Sequence, residues 1–340
     1  MHDVSTIFPK LSTLKNNTFY RFLPDPFIIG LFLMIFLAWM IPGIGIGNYS
    51  PNLGTIIDIG VFLIFFLYGL KLNPEKIRSG MSNWKMHLAI QLTTFVLFPL
   101  IVLPFYVVAR GTSWEICWLG LFFLAALPST VSSSVVMVGI ARGNVPGAIF
   151  NASLSGLIGI LVTPIWMGLF LTKGSASFSP WNIILQLVTQ IILPVVLGLI
   201  LHKYLGKWVN RHLKKLAWFD KTIILLIVYE SFSKSFLNRI FSEVNPWIFA
   251  MLLVSVILLF FAVFGLTGKI GKGLEFNRED RITLQFSGTK KSLVHGTVFA
   301  SVLFSGMSGA GILLLPVMIY HAFQLFYISM VATRKHNEMV

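Results

Sequence analysis

Apolar residues run through this chain in long blocks separated by short polar connectors. Crossing about 30 Å of hydrocarbon takes about 20 helical residues. Blocks of that order fall near 26–45, 55–71, 86–109, 115–140 and 144–172, and again near 181–203, 220–237, 246–268, 281–304 and 307–332. The pattern predicts an all-α polytopic membrane protein of ten spans, numbered 1 to 10 in chain order. No connector is rich enough in Pro, Gly or Ser to mark a soluble domain. The N-terminal stretch lacks a short apolar core followed by a small-residue cleavage site, so span 1 is expected to stay in the membrane.

Composition agrees: 56% of the 340 residues are hydrophobic and 11% charged. The net charge of +14 would interest nucleic acid on a soluble domain, but here the basic residues sit between apolar blocks, so no nucleic-acid partner is expected. Twenty Lys and Arg fall in the termini and alternate connectors, four (Arg110, Lys173, Lys234, Arg239) on the other side, and the last two are Lys290 and Lys291 inside span 9. Basic loops stay in the cytoplasm, which places both termini there and, for a bacterial chain, the protein in the inner membrane. The single cysteine, Cys117, excludes an intrachain disulfide framework, and no cluster of metal ligands is visible.

The most basic connector, 203–221, divides the chain. On this reading 1–25 is a cytoplasmic N-terminus, 26–172 a first five-helix repeat, 173–202 the start of the second with span 6, 222–333 its remainder, and 334–340 a cytoplasmic tail. Two halves with an odd number of spans lie in opposite orientations, the inverted-repeat plan of many secondary transporters. STVSSSVV (129–136) of span 4 aligns without gaps on SGTKKSLV (287–294) of span 9, matching Ser129 with Ser287, Ser134 with Ser292 and Val136 with Val294.

Those two spans carry the unusual chemistry. In span 4, Pro128 removes a backbone donor and is followed by Ser129, Thr130, Ser132, Ser133 and Ser134. In span 9, Gly288 and Thr289 take the corresponding place, so both helices are expected to break there, with Pro128, Ser129 and Gly288 as the break residues. Half-helix N-termini then point free N–H groups toward the membrane centre. Lys290 lies about nine residues, roughly 13 Å of helix, from Arg281. A charge at such depth costs from about 3 kcal/mol upward and marks a functional site by default. Ser132, Ser133, Lys290, Lys291, Ser292 and His295 are the candidate substrate residues. Glu230, at similar depth in span 7, is the expected carboxylate partner of one lysine. Gln91, Asn151, Ser155 and His321 are further polar groups inside the membrane, and Asp58 is expected to anchor at the interface.

The stretches LPSTVSSSVVMVGIARGNVPGAIFNASLSGLIG (127–159), QFSGTKKSL (285–293) and QIILPVVLGLIL (190–201) resemble the bile acid–sodium symporter superfamily, in the branch that includes solute carrier family 10 member 7. The resemblance implies a panel domain of spans 1, 2, 6 and 7, a core domain in which broken spans 4 and 9 cross, and sodium beside the crossing. Anchored on Ala141–Val145, the superfamily's sodium ligands fall on Ser134, Val135, Ala148 and Ala152, and its Glu…Gln-Asn motif falls on Gln285, Thr289 and Lys290. Gln91 and Thr94 lie near its span 3 glutamine. The acidic ligand is absent, so binding is expected to survive replacement of sodium. Gln91, Thr94, Ser134, Asn151, Ser155, Gln285, Ser287, Thr289 and Glu230 form the ion-binding set, or whatever replaces it.

The leading expectation is a secondary transporter moving a small organic anion, coupled to sodium or protons, with no cofactor beyond that sodium and no obligatory protein partner. A regulatory membrane protein of calcium or secretory-pathway homeostasis, implied by the animal branch, would show no flux of its own. An intramembrane enzyme is disfavoured, since neither HExxH nor GxSxG is present.

Overall fold

The computed structural model describes residues 26–46, 52–71, 83–130, 132–171, 188–239, 246–305, 307 and 309–337. The expected N-terminal segment 1–25, most of the 72–85 connector, the start of span 6 and the last three residues lie outside them. The described chain is all-helical, 89% helix without strands.

In chain order the helices are α1 (Pro26–Met40), α2 (Pro42–Ile46), α3 (Leu53–Lys71), α4 (Trp84–Ala109), α5 (Glu115–Ala126), α6 (Ser132–Ile140) and α7 (Val145–Leu171). Then follow α8 (Val188–Arg211), α9 (Leu213–Leu237), α10 (Pro246–Gly273), α11 (Arg278–Thr289), α12 (Leu293–Leu303) and α13 (Ala310–Asn337). Six of them, α3, α4, α7, α8, α10 and α13, are long and apolar enough to cross a membrane. The protein is thus an integral multi-pass membrane protein. Helix α9 is as long, at 25 residues, but carries Lys215, Asp220, Lys221, Glu230 and Lys234. The basic stretch 203–221 is helical on both sides of His212, where α8 hands over to α9; Arg211 complements the negative C-terminal end of α8.

Two packing groups share the bundle. Helix α3 lies closest on α8 and α1 on α9, while α4, α5, α6, α7, α10, α11 and α13 pack among themselves. Helix α9 joins the groups by touching α12 and α13. The α3–α8 contact is backbone to backbone: a Cβ on Gly69 would run into the Val195 carbonyl oxygen, and one on Gly198 into the Phe66 carbonyl oxygen. In lipid, where apolar surface has no reason to hide from its solvent, such close approach through small residues holds helices together.

The turn between α6 and α7 is fixed from outside. Arg142 takes a left-handed conformation (φ 53), and the Asn144 side chain accepts from Gly147 N–H at the start of α7. Asp280, in the first turn of α11, accepts from Asn144 Nδ2 at 2.8 Å and from Asn83 Nδ2 at 2.6 Å. One carboxylate thereby ties the heads of α4, α7 and α11 together.

Candidate functional site

The two apolar stretches expected as spans 4 and 9 are both interrupted, and the interruptions touch. Helix α5 ends at Ala126, Leu127 is extended (φ −71, ψ 152), and α6 begins at Ser132. Helix α11 continues through Gly288 and Thr289, Lys290 is extended (φ −77, ψ 144), and Ser292 caps α12 by accepting from His295 N–H. The second break therefore lies at Lys290–Ser292, not at Gly288 as expected. Gly288 instead lies inside α11, where an added Cβ would make ordinary contact with Thr93 and Thr267. Two cross-bonds join the breaks: Ser292 N–H donates to the Pro128 carbonyl at 2.9 Å, and Ser129 Oγ to the Ser287 carbonyl at 2.7 Å.

A helix end leaves carbonyls without helical donors, and their fate defines the site. At the end of α5, Leu124 O receives Leu127 N–H and Ala126 O receives Thr163 Oγ1. Ser129 N–H, the helical donor for Ala125 O, goes to Ser155 Oγ at 2.9 Å. Of the carbonyls from Leu124 to Leu127, those of Ala125 and Leu127 are left over. A third comes from α4, where Thr93–Leu97 is π-helical and Phe98 N–H reaches back to Thr93 O. Residue 99 is proline and has no N–H, so Thr94 O gains no donor from that turn.

Lys291 answers all three. Its Nζ lies 2.7 Å from each of Thr94 O, Ala125 O and Leu127 O, and the Phe98 ring centroid is 4.1 Å away. The ammonium's three donors are used and its charge meets the negative C-terminal end of α5. Its backbone is held as firmly: Lys291 N–H donates to Gln324 Oε1 at 2.9 Å, and Gln324 Nε2 donates to Lys291 O at 2.7 Å. Tyr320 OH donates to Thr289 O at 2.6 Å.

Lys290 is arranged differently. It is wholly enclosed (0% exposed), and its ammonium donates to Ser133 O at 2.7 Å, in the first turn of α6. Among the described residues that is its one acceptor, so two of its three donors are unused there. Neither lysine meets Glu230, which pairs with Lys234 one turn along the same helix at 2.8 Å. A partner at i+4 needs no reach across the bundle, and it displaces the expected lysine–Glu230 pair.

Of the other expected residues, Ser133 Oγ bonds Thr130 Oγ1 at 2.9 Å; Ser132 starts α6, and its side chain lies outside the described part. Gln91 Nε2 donates to Asn151 O and Oδ1, and Asn151 Nδ2 reaches His87 Nδ1 and Gly147 O. Thr94 Oγ1 donates to Ile90 O and Gln285 Nε2 to Phe264 O, while Thr289 Oγ1 pairs with Thr267 Oγ1 at 3.4 Å. Gln91 Oε1, Ser134 Oγ and Ser287 Oγ are buried without a hydrogen-bond partner among the described residues. No group of three or more His, Cys, Asp or Glu there is placed to hold a metal ion. Tyr320 and Gln324 were not anticipated, although YHAFQ (320–324) puts polar side chains inside an apolar block.

Two cavities lie along the seam between α3, α9 and α12, one above the other on all three helices. The smaller, of about 50 Å³, is lined by Tyr68, Lys71, Asp220, Val294, His295 and Val298 among others. The larger, of about 270 Å³, lies toward the opposite end and includes Thr55, Asp58, Glu230, Lys234 and Ser301. Along α3 and α9 the residues numbered between the two linings include Val61, Ile224 and Ile227, all buried. Beside the smaller cavity, Tyr68 crosses to α7 by donating to Ser153 O at 2.9 Å, and its ring meets His295 edge-on. Asp58, expected as an interfacial anchor, is exposed and lines the larger cavity.

Known proteins share this chain nearly end to end. The model of the SBF-like CPA transporter family matches residues 25–337. The PA2026 protein of Pseudomonas aeruginosa is 36% identical over 315 residues, 92% of this chain and 93% of the relative. YfeH of Escherichia coli, a proposed symporter, is 34% identical over 91% of this chain and 92% of its own. Sodium/bile acid cotransporter 7 of Xenopus tropicalis is 31% identical over 88% of each chain. The chain thus belongs to the SBF-like CPA transporter family, in the bile acid–sodium symporter superfamily on the branch of sodium/bile acid cotransporter 7, and is a membrane transporter rather than an enzyme.

Proposed function

We propose that the protein is a secondary transporter that carries a small organic anion by alternating access. In this reading α1, α3, α8 and α9 form a panel, and the remaining long helices form a core around the crossing. The ten spans are two inverted five-helix repeats with both termini in the cytoplasm. The observation that carries the reading is the pair of stacked cavities on the seam between the two packing groups, separated by packed apolar side chains. Sliding of the core against the panel would open one while closing the other.

The anion preference rests on Lys290. Its ammonium keeps two donors beside the N-terminal turn of α6, and the capped N-terminus of α12 begins two residues beyond it. Helix N-termini and a lysine favour the same sign of ligand. Lys290 is covered in this conformation, so an anion reaches it only when the crossing opens toward the seam. A second reading comes from the larger cavity, where Asp58 and Glu230 face a single Lys234: a solute bearing an ammonium group would suit it.

The test is a ligand screen by thermal shift on purified protein, with mono- and dicarboxylates, organic sulfates and primary amines. Carboxylates or sulfates should stabilise the wild type, and Lys290→Met should weaken them by about 1.5–3 kcal/mol, the range for a charge-assisted hydrogen bond. Stabilisation by amines alone, or anion binding unchanged in Lys290→Met, would overturn the anion reading. A hit that shows no saturable flux in proteoliposomes would favour a regulatory protein.

A further inference from the structure

We propose that the three-carbonyl cage around Lys291 is a monovalent-cation site that the chain fills with its own ammonium, so that the helix crossing is complete without sodium. This rests on the crossing being the moving centre of the transporter.

The oxygens are cation receptors independently of the lysine. Pro128 interrupts α5, and the π-helical turn before Pro99 releases Thr94 O, so these carbonyls would stand orphaned whatever side chain occupied position 291. Three oxygens at one distance and an aromatic face opposite match what an ammonium or potassium-sized ion seeks: carbonyl dipoles in place of its water, and the negative face of a ring. Gln324 clamps both backbone polar groups of residue 291 and thereby delivers the ammonium to the cage.

Sodium fits these residues poorly. The carbonyls it would use are engaged, and two lysine ammoniums are held at the break. The carboxylate of Glu230 is engaged by Lys234 and that of Asp280 by Asn83 and Asn144, so neither offsets like-charge repulsion there. A tethered cation differs from a bound one in a way that matters for transport: it cannot leave with the solute. It stays in the crossing through the whole cycle, and the solute's own gradient or a proton must drive transport.

Two measurements on the purified full-length chain test this. In the first, radioactive sodium binding and melting temperature are followed for the wild type in sodium, potassium and choline chloride at equal ionic strength. No saturable sodium binding and one melting temperature in all three salts are expected. Saturable sodium binding, or a rise in melting temperature specific to sodium, overturns the proposal and points to the unpartnered oxygens of Gln91, Ser134 and Ser287. In the second, Lys291→Ala empties the cage. Its lowered melting temperature should recover saturably with methylammonium or n-propylammonium, which donate hydrogen bonds, and not with tetramethylammonium, which cannot. A folded Lys291→Ala protein that responds to none of them more than to choline shows that Lys291 is only a packing pin, and overturns the proposal. If Lys291→Ala gives no folded protein, the wild-type sodium measurement decides alone. Rescue without any anion binding would sink the transport reading and leave the cage standing.

Discussion

Replacing Gln324 with Leu removes the clamp on the second helix break while keeping the volume nearly constant. Gln324 is fully buried, so the change leaves little void, and its cost is almost all hydrogen bonding. The Lys291 N–H and carbonyl lose their partners at 2.9 and 2.7 Å. Each stranded buried group costs about 1–3 kcal/mol, which gives roughly 2–6 kcal/mol for the pair. At ~2–4 °C per kcal/mol for chains of a few hundred residues, the melting temperature should fall by about 4–24 °C. Tryptophan fluorescence of the detergent-purified protein reads this out. Gln285→Leu is the internal control: that amide makes one bond, to Phe264 O at 3.0 Å, from a half-buried position, and its loss is worth about 0.5–1.5 kcal/mol. If Gln324→Leu melts no lower than Gln285→Leu, side-chain clamping does not hold the break, and the accounting of carbonyls around Lys291 fails with it.

Gly198→Ala sets a Cβ against the Phe66 carbonyl oxygen and should cost about 1–3 kcal/mol by overpacking; Gly265→Ala, with nothing within 4 Å of its added Cβ, should be neutral or stabilising by up to about 1 kcal/mol. Equal melting temperatures for the two variants would refute the backbone contact between α3 and α8. Cysteines placed at exposed Lys207 and Lys272 should react with an impermeant maleimide only after cells are permeabilised. Labelling of either in intact cells would reverse the orientation.

What the sequence revealed, and what it concealed, follows from where the determinants lie. The interruption of span 4 was legible because proline announces itself: Pro128 lacks a donor, and the serines after it offer substitutes. In span 9 the sequence points to Gly288, two residues early, because Gly288 is a helix breaker by propensity while the actual break is imposed by tertiary partners, namely Pro128 O, Tyr320 OH and the Gln324 amide. The two lysines were visible as an anomaly, but the acceptors of Lys291 are backbone carbonyls on α4 and α5, to which residue types give no clue. Matching depth pairs Glu230 with a lysine of span 9, although Lys234 at i+4 on the same helix is the simpler partner. Long apolar helices α3, α4, α7, α8, α10 and α13 needed only block length to be read, whereas the seam cavities depend on how α3, α9 and α12 meet, which no local pattern encodes.

Alternating access along that seam can be read by side-specific cysteine labelling. In a Cys117→Ser background, which removes the chain's one thiol, single cysteines are placed at Ser301 in the larger cavity and at Val294 in the smaller one. They are probed with an impermeant reagent from each side of sealed, oriented vesicles. Ser301→Cys should be labelled from one side and Val294→Cys from the opposite side, with conditions that raise one rate lowering the other. Labelling of both positions from the same side, or rates at the two positions that rise together, would contradict it.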